Sequence, residues 1–237
     1  IIAFILGRRY RIKLEDILFG ELFMLVGAFI GAHILYGITN IPDMFYYLGL
    51  YFSEGWDTHY FFDIIFKFMD GMVYFGGLIL GIVFGILYCK IRKLDLGNYS
   101  DCFAVGIPLF HSIARLGCFF AGCCYGIESD FGFTAHNAIV ESANDVCRFP
   151  VQLLESGLNA LIFVALLLIF RKGIMRGKII YAYLISYSTI RFFLEFLRGD
   201  EYRGFLLFLS TSQWISLVLI GFSVFKLLRS KKKKAKL

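Results

Sequence analysis

Charged residues and prolines are scarce in this chain. Only 18% of its 237 residues are charged and three are proline, whereas 59% are hydrophobic. This composition excludes a water-soluble globular protein, because the apolar surface exceeds what a single core buries. The chain opens without the basic stretch, short apolar core and small-residue cleavage site of a secretory signal peptide. It shows no long linker, repeat or low-complexity region apart from a lysine-rich tail.

Long apolar segments dominate the chain instead. A helix needs about 20 residues to cross a hydrocarbon core of roughly 30 Å. The segments that approach or reach this length are Ile17–Ile38, Met72–Cys89, Phe103–Phe120, Val151–Phe170, Ile179–Leu197 and Ser212–Phe225. Residues Ile1–Leu6 resemble the end of a further helix whose start is missing. We therefore predict an all-α, polytopic integral membrane protein with about seven transmembrane helices, the first truncated, in a single domain over residues 1–237.

Basic residues lie on alternate connections between these segments. Four clusters hold 18 of the 24 lysines and arginines: Arg8–Lys13, Lys90–Lys93, Arg171–Lys178 and Lys226–Lys236. The positive-inside rule places such clusters on the cytoplasmic side. The segments near 39–70, 127–149 and 198–211 are then extracytoplasmic. The net charge of +6 therefore reflects topology, and the expected partner is a lipid bilayer and not a nucleic acid.

Two arginines lie inside apolar helices, where each costs several kcal/mol unless it meets an anion or a wet cavity. Arg115 lies inside one apolar run. Arg191 lies inside another, four residues after Tyr187 and four residues before Glu195. Arg198 follows three residues after Glu195. Spacings of three and four place these side chains on one helix face. Because guanidinium groups bind phosphate bidentately, the sequence predicts a site for a lipid headgroup.

Two polar residues begin the next helix from the same side. Gln152 and Glu155 follow Pro150 directly, and we predict that they line the headgroup pocket. An internal ion pair between Arg191 and Glu195 that only holds helices together is the alternative reading. A buried pair costs desolvation that apolar packing would avoid, so a ligand explains its presence better.

Several short motifs together carry a family resemblance. They are Gly76-Gly77-Leu78, Arg115-Leu-Gly followed by Gly122 and Gly126, Pro150-Val-Gln152 with Glu155, and Tyr187 with Arg191-Phe-Phe-Leu-Glu195-Phe-Leu-Arg198. From about residue 14 to 225, the chain resembles the bacterial prolipoprotein diacylglyceryl transferase family. No single element is decisive, but the set is specific.

The resemblance implies a reaction at the outer leaflet of the bacterial cytoplasmic membrane. The diacylglyceryl group of phosphatidylglycerol passes to the lipobox cysteine thiol of a preprolipoprotein, and a thioether and glycerol 1-phosphate form. The catalytic residues implied are Arg115, Arg191, Glu195 and Tyr187. The substrate-binding residues implied are Arg115, Arg191, Arg198, Gly76, Gly77, Gly126, Gln152 and Glu155. No cofactor and no metal is expected.

The sequence departs from the family pattern at three positions. Phe75 stands where a histidine usually precedes Gly-Gly-Leu, Cys118 where an asparagine is usual, and His33 where an arginine is usual. The lost histidine is a candidate for deprotonating the thiol, so Glu195, Glu155 or His111 would have to replace it. For His111, a hydrogen-bonded packing role is the favoured reading. The alternatives are a transferase with a different acceptor, or a phospholipid-binding or translocating protein.

Six cysteines add a further question. We expect Cys118, Cys123, Cys124 and Cys147 near the extracytoplasmic boundary and Cys89 and Cys102 near the cytoplasmic one. Close packing, a structural disulfide, and redox, metal or nucleophilic chemistry all stay open, in that order of preference. The spacing lacks the Cys-x2-Cys with a histidine partner that is typical of zinc sites. A thiol-redox enzyme is therefore a third and weaker hypothesis.

Overall fold

Helices make up most of the computed structural model, which describes residues 2–41, 43, 45–47, 49, 71–199 and 205–234. The helices are α1 (Ile2–Gly7), α2 (Leu14–Thr39), α3 (Tyr74–Ile91), α4 (Leu96–Ala121), α5 (Val151–Arg171), α6 (Ile179–Leu194) and α7 (Thr211–Lys234). Short 3-10 turns cover Arg8–Tyr10, Glu141–Ala143 and Glu195–Leu197. Two antiparallel ribbons pair β1 (Glu128–Thr134) with β2 (Cys147–Arg148) and β3 (Phe205–Leu206) with β4 (Leu209–Ser210).

The predicted class, an all-α polytopic membrane protein, is confirmed. Within the described residues, α2, α4, α5, α6 with its 3-10 extension, and α7 are long and apolar enough to cross a membrane, and α3 is apolar but shorter. Their large side chains face outward: Phe29, Phe110 and Leu161 are each more than 60% exposed, as expected of lipid-facing surfaces. The total of seven spans stays a prediction, and most of the segment predicted near 39–70 lies outside the described residues.

The chain forms two compact units, which are described separately. In the unit Gly7–Leu96, α2 and α3 pack through glycines. A Cβ on Gly31 or on Gly76 would overlap the backbone carbonyl of the other glycine, and one on Gly77 would lie 2.9 Å from the Ala28 carbonyl oxygen. Because these positions lack side chains, the two helices approach backbone to backbone. Close helix packing therefore explains Gly76 and Gly77, and their predicted substrate role stays a prediction.

The second unit comprises Ile1–Leu6 and Gly97–Leu237. Here α4 and α5 are joined by buried hydroxyl groups, since the Ser156 hydroxyl donates to the Ser112 carbonyl at 2.8 Å. Small polar side chains of this kind suit helix contacts inside a membrane, where every polar group needs a protein partner. The unit thus holds α4 and α5 side by side at the depth where Arg115 lies.

A buried carboxylate on α4 organises the start of α6. Asp101 is fully buried and accepts the backbone N–H groups of Gly177 at 2.5 Å and of Ile179 at 2.7 Å. Ile179 is the first residue of α6, so the carboxylate satisfies an N–H group that has no acceptor within the helix. The negative charge also opposes the positive end of the helix dipole. Asp101 thereby fixes α6 against α4, a role that the apolar pattern did not reveal.

We predict that Asp101→Ala lowers the free energy of unfolding by about 3 kcal/mol, because the buried N–H of Ile179 and the half-buried N–H of Gly177 lose their acceptor. Asp101→Asn keeps one acceptor oxygen and is expected to cost less. Denaturation in mixed detergent micelles would measure both. Asp130→Ala, on the exposed face of β1, is the matched control and should change stability by no more than about 0.5 kcal/mol. Equal stability of Asp101→Ala and this control would contradict the assignment.

Candidate active site

Arg115 forms an ion pair between two helices. Its Nε lies 3.0 Å from the Oε2 atom of Glu155, linking the last turns of α4 to the first turns of α5. The Glu155 side chain is 3% exposed and that of Arg115 is 21% exposed. The carboxylate is therefore sealed in the protein, whereas part of the guanidinium stays accessible. Glu155 was predicted to line the pocket, and the structure makes it the partner of Arg115.

Arg191 forms a second pair within one helix segment. Its Nη2 lies 2.8 Å from the Oε2 atom of Glu195 and 3.3 Å from the hydroxyl of Ser212 at the start of α7. The predicted spacing of four residues is responsible for the first contact. The other terminal nitrogen, Nη1, is buried and finds no hydrogen-bond acceptor among the described residues. Arg191 thus keeps a donor for an anion.

Tyr187 lies close to both Arg115 and Arg191. It interacts electrostatically with Arg115 and with Arg191, and its ring lies 5.1 Å from that of His111. His111 in turn forms a 3.3 Å hydrogen bond with the Tyr183 hydroxyl. This bond agrees with the packing role favoured for His111. The structure therefore places Tyr187 near both Arg115 and Arg191, and the catalytic role of the three residues stays a prediction.

Arg198 reaches the site by a different route from the one predicted. The helix ends at Leu194, a 3-10 turn covers Glu195–Leu197, and Arg198 adopts extended backbone that bridges to Gly126. The prediction that Arg198 lies on one helix face with Tyr187, Arg191 and Glu195 is thus wrong. Its charge still interacts with those of Arg115 and Arg191.

Gly126 and Gln152 shape the loop beside the arginines. A Cβ on Gly126 would overlap the carbonyl oxygen of Phe149, so no other residue fits there. The Gln152 amide, 5% exposed, donates to the Cys123 carbonyl at 2.9 Å. Both residues also line a cavity of about 210 Å³ together with Arg148. These contacts explain the two residues structurally, and substrate binding by them stays a prediction.

Arginines and buried carboxylates alternate in the site. The guanidinium groups of Arg115, Arg191 and Arg198 lie among the buried carboxylates of Glu155 and Glu195. The Nη1 atom of Arg191, which has no acceptor among the described residues, and the accessible part of Arg115 can donate to an anion, and phosphate esters match guanidinium geometry.

Three thiols gather at the end of α4 through a helix C-cap. The N–H of Gly122 donates to the Phe119 carbonyl, and that of Cys123 donates to the Cys118 carbonyl. Gly122 has a φ of +70°, as the left-handed cap position requires. This Schellman turn folds the chain back, so the Sγ atoms of Cys118, Cys123 and Cys124 lie within 4.8 Å of one another. Neither the family resemblance nor the spacing predicted this cluster.

The thiol cluster touches the arginine site. The Nη1 atom of Arg115 lies 3.8 Å from the Cys118 Sγ atom. Burial, reinforced by the neighbouring Cys124 and Cys118, raises the pKa of the Cys123 thiol to about 11. None of the six cysteines, all of which lie among the described residues, forms a disulfide. Without a cation, Cys123 is therefore protonated at neutral pH and is a poor nucleophile.

Comparison with known proteins decides the family. A family model described as prolipoprotein diacylglyceryl transferase matches residues 1–229. The chain belongs to the prolipoprotein diacylglyceryl transferase family. It is 32% identical over 212 residues to a phosphatidylglycerol–prolipoprotein diacylglyceryl transferase of Clostridium tetani, covering 88% of this chain and 79% of that protein. A protein of that name from Bordetella avium is 32% identical over 229 residues, covering 91% and 80%.

This chain also has site contacts that sequence reasoning missed. They are the Ser212 hydroxyl on Arg191, the Tyr183 hydroxyl on His111 and the Cys118 sulfur on Arg115. The first two join residues on different helices, so no spacing in the sequence encodes them. The third joins residues three apart on one helix, and the i, i+3 spacing was a usable signal.

We predict that Glu155→Gln lowers the free energy of unfolding by about 2 kcal/mol, because the half-buried guanidinium of Arg115 loses its counter-charge. Arg115→Leu should cost a similar amount for the converse reason. The double variant, with Arg115→Leu and Glu155→Gln combined, should cost much less than the sum of the two. Denaturation of all three variants in mixed micelles measures the coupling.

Glu128→Gln is the matched control for this cycle. Glu128 is 74% exposed and lies 3.9 Å from an Arg148 nitrogen, so its loss should cost less than about 1 kcal/mol. Strictly additive costs for the Arg115 and Glu155 variants would refute the coupling.

We also predict a pH dependence for alkylation of Cys123 in metal-free buffer. Since only the thiolate reacts, a pKa raised to about 11 should make iodoacetamide modification near pH 7.5 roughly two orders of magnitude slower than for free cysteine. The rate should keep rising above pH 9, where that of free cysteine levels off. Peptide fragmentation localises the adduct, and a plateau by pH 9 would contradict the raised pKa.

Proposed function

We propose that this protein transfers a diacylglyceryl group from phosphatidylglycerol to the lipobox cysteine thiol of a preprolipoprotein, at the extracytoplasmic leaflet of the bacterial cytoplasmic membrane. The observation that carries the proposal is that Arg115 and Arg191 each pair with a buried carboxylate and share Tyr187, Arg198 and Glu155 as electrostatic neighbours. Family membership supports the choice of donor and acceptor, since the names of the relatives state both.

The arginines of the site suit the donor. Phosphatidylglycerol carries one negative charge on its phosphodiester, and guanidinium groups bind phosphate oxygens in bidentate geometry. The Nη1 atom of Arg191 is buried without an acceptor among the described residues, so a phosphate oxygen would satisfy it. The accessible edge of Arg115 offers a second set of donors.

The reaction increases the charge that these arginines meet. The cysteine sulfur forms a bond to the glycerol carbon that carries the phosphate, and that carbon–oxygen bond breaks. Its electron pair leaves with glycerol 1-phosphate, which gains a second negative charge, while the thiol proton is released. Guanidinium groups fixed at the departing oxygen stabilise the transition state more than the ground state. Arg115, Arg191 and Tyr187 are the proposed catalytic residues.

The two carboxylates act through the arginines. Glu155 holds Arg115 at 3.0 Å, and Glu195 holds Arg191 at 2.8 Å. Both are thereby positioning residues for the phosphate-binding groups, and Arg198 adds charge to the same cluster. We retain Gly76, Gly77, Gly126 and Gln152 as proposed substrate contacts.

One residue favours a second candidate function. Phe75 replaces the histidine expected before Gly-Gly-Leu, and phenylalanine accepts no proton. A protein that keeps the headgroup site without the transfer chemistry would bind or translocate phospholipid, or transfer the group to another acceptor. An assay with donor and acceptor supplied separately distinguishes these functions.

We predict that purified full-length protein, mixed with phosphatidylglycerol and a synthetic lipobox peptide, adds one diacylglyceryl unit to the peptide, detected as a mass gain. Arg191→Ala should reduce the rate by about 100-fold or more, because the departing phosphate loses a fixed donor. Arg191→Lys keeps the charge but not the bidentate geometry, so an intermediate rate is expected.

Arg229→Ala is the matched control, since Arg229 is exposed near the end of α7, and its rate should equal that of the unmodified protein. A peptide with serine in place of the lipobox cysteine should gain no mass. Bound phosphatidylglycerol without any transfer would replace the transferase proposal with the lipid-binding function.

A further inference from the structure

The three thiols at the end of α4 have the number and spacing of metal ligands. A tetrahedral zinc site with Zn–S bonds of about 2.3 Å separates its sulfur atoms by about 3.8 Å. The Sγ atoms of Cys118, Cys123 and Cys124 lie within 4.8 Å of one another, so small side-chain rotations reach that geometry. All three residues are half-buried, and an ion can reach them.

The geometry points to a Zn²⁺ site formed by Cys118, Cys123 and Cys124, whose fourth position binds the thiol of the acceptor cysteine. This inference rests on the proposed function, because the acceptor thiol is the substrate of that reaction. It departs from the expectation of no metal that accompanied the family resemblance, and it takes up the metal chemistry that the cysteines left open.

The open fourth position follows from the composition of the cluster. Among the described residues, no histidine, aspartate, glutamate or further cysteine joins these three within ligand distance. The nearby carboxylate of Glu155 is already held by Arg115. Structural zinc sites have four protein ligands, whereas catalytic sites have three and keep one position for water or substrate. A three-cysteine set therefore matches the catalytic pattern.

A bound cation would promote deprotonation of the acceptor thiol, which Phe75 cannot do. A thiol that coordinates Zn²⁺ loses its proton, here to water, and becomes a thiolate without a protein base. The bound sulfur then donates an electron pair to the glycerol carbon, the carbon–oxygen bond breaks, and its pair leaves with glycerol 1-phosphate. Zinc stays divalent throughout, so no oxidant or reductant takes part. The product thioether is neutral and binds the cation more weakly than the thiolate, which favours its release.

Arg115 connects the cluster to the phosphate site. Its Nη1 atom lies 3.8 Å from the Cys118 Sγ atom, while its Nε atom holds Glu155. Three thiolates and one Zn²⁺ carry one net negative charge, which the neighbouring guanidinium offsets. A thiolate bound at the cluster and a phosphate bound at Arg115 would therefore lie side by side, as a direct displacement requires.

Metal content tests the site without reference to activity. Full-length protein, free of any affinity tag and purified under reducing conditions, is equilibrated with Zn²⁺ and then freed of unbound ion. We expect about one zinc per chain by elemental analysis. Cys118→Ser and Cys124→Ser should each retain less than about one tenth of it. Cys147→Ser is the matched control, because Cys147 is also half-buried but lies outside the cluster, and it should retain all of it.

The absorption of bound Co²⁺ tests whether a peptide thiolate binds at the fourth position. This test needs no variant of the protein. With Co²⁺ in the site and no phosphatidylglycerol present, the sulfur-to-cobalt absorption should rise by about one third when a lipobox peptide adds a fourth thiolate. The serine form of the peptide should leave the spectrum unchanged. This readout does not depend on the folding of any variant or on transfer.

Zinc retained equally by Cys118→Ser, or a disulfide between any two of the three cysteines in active protein, would overturn the inference. So would transfer that persists after zinc removal, and this result would leave the proposed function standing. The cobalt response to peptide without any transfer would support the site while refuting the transferase function.

Discussion

The structure depends on one constraint, which is that a charge at apolar depth must have a partner. Arg115 meets it with Glu155 on the neighbouring helix, and Arg191 meets it with Glu195 four residues along its own chain. Leaving either carboxylate or guanidinium alone there would cost several kcal/mol, so the pairs restrict how α4, α5 and α6 pack. The last turns of α4 and the first turns of α5 have to stay in contact, and the Ser112 and Ser156 hydrogen bond below Arg115 keeps them so.

The same ion pairs leave hydrogen-bond donors in the site that an anion can use. Glu155 and Glu195 fix the orientation of the guanidinium groups, but among the described residues the buried Nη1 atom of Arg191 has no acceptor. Arginines held rigidly by buried carboxylates need little reorganisation when an anion arrives. A network that satisfied every donor would gain stability but would bind no phosphate. Pairing that fixes the guanidinium groups and still leaves a donor for an anion is therefore what a headgroup site requires.

How far the sequence predicts this arrangement depends on whether a contact is local. Apolar runs set the positions of the helices, and the four-residue spacing of Arg191 and Glu195 led directly to their ion pair. The contact of Arg115 with Glu155, by contrast, depends on how two helices pack, and the sequence indicated only that both face one pocket. The capping of α6 by Asp101 joins residues 78 apart and has no periodic signal. Arg198 was misplaced because a 3-10 turn replaces the last helical turn, a boundary that hydrophobic periodicity does not resolve.

The cysteines show how a local turn changes the chemistry available to a site. Arg115 and Cys118 are three residues apart on α4, so they share a helix face whatever the rest of the chain does. Gly122 then reverses the chain and returns Cys123 to the same helix end. A group that activates a thiol and a group that binds the departing phosphate thus come from one continuous stretch. Placing both functions on the last turn of α4 makes their spacing a property of helix geometry, which varies less than the packing between helices.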